Sequence, residues 1–83
     1  MNANDASKGS ILVVIKGITL RASEQGTGQE KYQDFFLRVG KEVLCYEVWS
    51  AGAVTLSFDY GDKTYIYYAT PNDPVWVALE PKP

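Results

Sequence analysis

Between residues 53 and 60 every second side chain is apolar: Val54, Leu56, Phe58 and Tyr60 alternate with Thr55, Ser57 and Asp59. Period two is the signature of a half-buried β-strand. A helix would need its apolar positions three and four apart. The same alternation recurs along the chain in short runs, separated by Gly, Pro, Asn and Asp, so the pattern predicts strands throughout and no helix. Residues 10–22 form the first strand, with Leu12, Val14, Ile18 and Leu20 on one face, Lys16 among them, and Gly17 marking a bulge or bend. Residues 23–30 (SEQGTGQE) read as a polar, mobile loop. Strands over 31–39 and 42–49 are joined at Gly40-Lys41, a two-residue turn with glycine first, as type II′ prefers. Gly61-Asp62 turns the 53–60 strand back into 63–69, and a last strand follows over 75–79.

Five or six short antiparallel strands in 83 residues define an all-β domain. The expected architecture is a small barrel, OB-like or SH3-like, with an open sandwich as second choice. Closing the sheet would remove its edges, and Pro81 and Pro83 would discourage pairing at the end. Residues 1–9 read as a flexible leader and 10–83 as a single domain. The longest apolar run, Ile11 to Ile15, is cut by Lys16 and falls far short of the roughly 20 residues of a membrane helix. The polar N-terminal segment does not resemble a signal peptide, so the expected location is cytoplasmic, in a host cell if the gene is viral.

Chemistry is constrained by what is missing. The chain has no histidine and a single cysteine, Cys45, set in a strand between Leu44 and Tyr46. A nucleophilic triad or zinc site therefore lacks its usual side chains, and the expectation is a non-enzyme with no metal and no cofactor. Eight basic against ten acidic residues, net −2, give no bulk attraction to nucleic acid.

Aromatic residues supply the candidate sites. On the second strand Tyr32, Phe36 and Arg38 share a face, with Lys31 at its start. Two rings ~14 Å apart, four residues at ~3.4 Å each, make a stacking platform for unpaired bases. On the fifth strand Tyr65 and Tyr67 share a side beside Lys63, and burial of Ile66 and Tyr68 would leave them outside. Trp76 should face away from the core if Val75, Val77 and Leu79 face inward. Trp49 falls on the side of Val43, Cys45 and Glu47, and an exposed tryptophan anchors partners well. Arg21 and Lys31 stand at the base of the 23–30 loop. Each of these residues has a plain structural alternative, as core, cross-strand packing or solvated surface.

The run Ile11-Leu12-Val13-Val14-Ile15-Lys16, the loop from Arg21 through Gly28 to Tyr32, and the C-terminal Glu80-Pro81-Lys82 together resemble the small single-stranded-DNA-binding proteins of filamentous phages. The resemblance implies an OB-like five-stranded fold, a homodimer, and DNA contacts through Arg21, Lys31 and Tyr32.

Two functions follow as expectations. The first is single-stranded nucleic-acid binding, with Tyr32, Phe36, Tyr65 and Tyr67 stacking on bases and Arg21, Lys31, Arg38 and Lys63 meeting phosphates. The second is a protein-interaction module, such as a phage-encoded inhibitor of a host enzyme or defence complex, docking through Trp49, Trp76 and carboxylates. Scattered acids (Asp34, Glu47, Asp59, Asp62, Asp73, Glu80) could even imitate a phosphate track. The discriminating feature is the lining of the aromatic groove: basic for nucleic acid, acidic for a protein partner.

Overall fold

The computed structural model describes residues 1–26 and 31–83. Residues 27–30 of the expected 23–30 loop lie outside the described residues, and Ser23 and Glu24 are strand rather than loop, paired with Ile66 and Tyr65. The protein is all-β, with seven antiparallel strands and no α-helix among the described residues. The strands are β1 (Ile11–Val14), β2 (Ile18–Glu24), β3 (Tyr32–Leu37), β4 (Glu42–Val48), β5 (Val54–Tyr60), β6 (Lys63–Ala69) and β7 (Leu79–Pro81). They form one sheet in the order β3-β2-β6-β5-β4-β1-β7.

The predicted first strand is two strands. It breaks at Ile15–Gly17, so that β1 pairs with β4 and β7 while β2 pairs with β3 and β6. One continuous segment thereby serves both halves of the sheet, and the sheet curls around the side chains between them. It does not close: β3 and β7 remain edges, so the strand count is seven and the barrel stays open. Glycine sits at the corner because the Phe36 ring covers it, and a Cβ on Gly17 would stand 2.8 Å from Phe36 Cζ.

The inner face carries Leu12, Val14, Leu20, Ala22, Phe35, Leu37, Val43, Cys45, Val54, Leu56 and Phe58, all buried. Burial pushes the Cys45 thiol pKa up, in keeping with a structural role; a bond to Ser10 pulls it the other way more weakly. Two turns differ in detail. The β3–β4 turn is closed by Lys41 N–H donating to the Arg38 carbonyl, which makes Val39-Gly40 the central pair. Gly40, second in that pair, has φ 95°, the requirement of a type II turn rather than the expected II′. Gly61, first between the paired Tyr60 and Lys63, has φ 67° as expected for the hairpin at 61–62.

The last strand was expected over 75–79. Pro74–Ala78 is instead a 3-10 helix, and only Leu79–Pro81 pairs, with β1. Asp73 explains this: its Oδ1 accepts from Val75 N–H at 2.9 Å, capping the turn, and Pro74 at its start fits helical φ. The N-terminal segment also carries a short 3-10 helix, Ala3–Asp5, and Ala3 and Ala6 join the core. No helix among the described residues is long and apolar enough to cross a membrane.

Candidate interaction face along β5

On the face of the sheet opposite the core, a groove follows β5. Its outward residues Thr55, Ser57 and Asp59 are small or short, and β4 and β6 rise on either side. Ser57 pairs between Leu44 and Ile66, Thr55 between Glu47 and Tyr68, and Asp59 opposite Thr64. Although they lie on the outer face, Thr55 is only 2% and Ser57 only 5% exposed, because larger neighbours cover them.

A β-bulge builds the β4 wall. Cys45 pairs with Leu56 and Glu47 with Thr55, which leaves Tyr46 as the extra residue. Val43 and Cys45 face the core, whereas Tyr46 and Glu47 both reach the outer side. Past the strand end, the Trp49 indole N–H donates to Thr55 Oγ1 at 2.9 Å, which lays the ring over the floor. Opposite, Tyr68 is exposed and Ile66 half-buried.

The groove has two chambers in succession. One, of about 420 Å³, is walled by Tyr46, Trp49, Ile66 and Tyr68 over Thr55. The other, of about 330 Å³, is walled by Ile11, Leu44 and Tyr46 and includes Glu42 and Asp59. Among the described residues no Lys or Arg lines either chamber. Lysines do reach the rim: Lys82 Nζ bonds Glu42 at 2.7 Å, and Lys8 pairs with Glu47 at 3.3 Å.

The sequence-predicted residues divide. Tyr32, Phe36 and Trp49 are exposed, as are Arg21, Lys31, Arg38 and Lys63. Trp76 is a correction: it is 3% exposed in the core, because the 3-10 helix replaces period two with a tighter turn, and its indole N–H donates to the Thr70 carbonyl. Tyr65 is a second correction. It is 8% exposed and packs on Phe35 with ring centroids 4.3 Å apart, while Tyr68 is the exposed one. Tyr67 is half-buried beside Tyr65, its hydroxyl donating to Asp73 Oδ2 at 2.6 Å. Burial and the neighbouring Asp73 carboxylate push its pKa up. Tyr60, expected inward, is exposed at the strand end, although its ring still meets Phe35.

Tyr32 and Phe36 form an outward row on β3, but Asp34 stands between them and holds Arg21 at 3.4 Å. Lys63 is likewise paired, with Glu24 at 3.1 Å, which raises its pKa. Near this row Phe36, Arg38, Lys41 and Tyr60 line a separate cleft of about 370 Å³. Sequence reasoning missed Tyr46, Ile66, Tyr68, Leu44 and Ile11. The alternation over 63–69 held the signal for Ile66 and Tyr68, and only its facing was unresolved.

No group of three or more potential metal-ligating side chains occurs among the described residues. Comparison with protein-family models, characterised proteins and solved structures gives no match.

Proposed function

We infer that the protein is a non-enzymatic protein-interaction module whose partner docks along β5. One observation carries this reading: the aromatic-walled groove along β5 is bordered by carboxylates and has no cation in its lining among the described residues. Trp49, Tyr68 and Tyr46 supply broad, rigid contact area of the kind that dominates binding energy at protein interfaces. A phosphate track would repel this lining, and base stacking there would have no adjacent charge to meet the backbone. A pure DNA mimic is also disfavoured, because Lys82 and Lys8 offset two of the groove's three carboxylates.

The test is affinity purification from lysate of the organism carrying the gene, comparing wild type with Trp49→Ala/Tyr68→Ala. One stoichiometric partner recovered by wild type and lost by the folded double variant supports the reading. Recovery of the same partner by the variant, or of none by either, overturns it.

A second reading rests on the Phe36, Arg38, Lys41 and Tyr60 cleft, which combines two rings with two cations and has no carboxylate in its lining among the described residues. It fits a short stretch of single-stranded nucleic acid, the function implied by the resemblance to filamentous-phage proteins. Saturable fluorescence quenching by oligo(dT) that weakens with salt would support it, and absence of quenching at low salt would sink it.

A further inference from the structure

We propose that the Asp59 end of the β5 groove receives an arginine side chain from the partner's docked segment. This rests on the protein-interaction reading and names the chemistry it selects. Thr55, Ser57 and Asp59 follow one another at period two, so the floor from Thr55 to Asp59 spans ~14 Å. An extended segment has the same period and places side chains successively in the two chambers.

The chambers differ in chemistry. The one at Thr55 is walled by Tyr46, Trp49 and Tyr68; its carboxylate, Glu47, is already held by Lys8, so it takes an apolar side chain. The one at Asp59 combines apolar walls, Ile11 and Leu44, with a tyrosine ring and two carboxylates. Of those carboxylates, Glu42 is already held by Lys82. Asp59 forms no ion pair among the described residues: its Oδ1 accepts from the Thr64 hydroxyl at 2.6 Å, and the Lys41 ammonium bonds its backbone carbonyl instead.

Arginine fits this combination better than lysine. Its stem can lie on Ile11 and Leu44, its flat guanidinium can stack on Tyr46, and its fork pairs with a carboxylate through two hydrogen bonds. The expected recognition element is therefore an extended segment with arginine two to four residues from a bulky apolar residue.

A random twelve-residue displayed peptide library, selected on the folded protein, tests this. Enriched sequences should carry that arginine, and the best synthetic peptide should lose at least tenfold in affinity on Asp59→Asn and on replacing its arginine by citrulline. The two changes together should cost little more than either alone. Asparagine can still accept from Thr64, and circular dichroism checks that the variant is folded. Peptides that lose binding on Trp49→Ala/Tyr68→Ala but lack arginine and ignore Asp59→Asn would overturn the arginine site and leave the groove standing. No enrichment, or peptides indifferent to all of these substitutions, would overturn both.

Discussion

The Phe36 ring rests on the backbone of Gly17. The two lie on the outer face of the β2–β3 pair, diagonal to each other, since Phe36 pairs with Thr19 two residues further on. Phe36 is 56% exposed, so much of its value lies in covering the corner where the long N-terminal segment bends. Aromatic residues stabilise sheet glycines this way. Gly17→Ala should destabilise by about 1 kcal/mol by pushing the ring aside, and by close to nothing in a Phe36→Ala background. A urea-denaturation double-mutant cycle measures the difference. Additive effects would show that the contact has no energetic role.

Tyr67 and Asp73 tie β6 to the C-terminal 3-10 helix. The Tyr67 pKa is raised by burial and by Asp73, so the folded state holds the phenolic proton more tightly than the unfolded chain, whose tyrosine titrates near ~10. The resulting stabilisation is fully present below pH ~10 and is lost as pH rises through the folded pKa. Tyr67→Phe should cost about 1–2 kcal/mol at neutral pH and make the alkaline fall in stability shallower. Thermal melts of both proteins from pH 8 to 12 test this.

The two tryptophans should report different environments. Trp49 is 49% exposed and Trp76 is enclosed. In Trp49→Phe the remaining emission should be blue-shifted and resistant to iodide, whereas Trp76→Phe should leave red-shifted, quenchable emission. Truncation should separate them too: Trp76→Ala should cost about 3–5 kcal/mol, and Trp49→Ala far less.

The Arg21–Asp34 pair is exposed on both sides and lies across β2 and β3. Its removal should change stability by less than about 0.5 kcal/mol. Asp34→Ala also releases a cation and removes the acid between Tyr32 and Phe36. If nucleic acid binds on this side, that variant should bind oligo(dT) more tightly than wild type in low salt. Unchanged or absent binding would count against the second reading.

Strand class, antiparallel hairpins and the alternating core of β5 were legible in the sequence, because period two within a strand follows from backbone geometry alone. So was the corner at Gly17. The facing of β6 was not, because alternation assigns Tyr65 and Tyr67 to one side and Ile66 and Tyr68 to the other without saying which side is the core. Pairing with β5 decided it: Phe58 lies opposite Tyr65, and Tyr65 joins Phe58 and Phe35 inside.

The β4 wall was hidden for a different reason. One unpaired residue, Tyr46, shifts the alternation midway through the strand, and a bulge is a property of two strands in register rather than of either sequence. Trp76 moved inward because a side-chain cap from Asp73 made a 3-10 turn where alternation implied a strand. The sequence by itself determined which residues could alternate and where the chain could turn. Only the tertiary structure decided which faces meet water, since facing depends on partners distant along the chain, and that choice created the groove along β5.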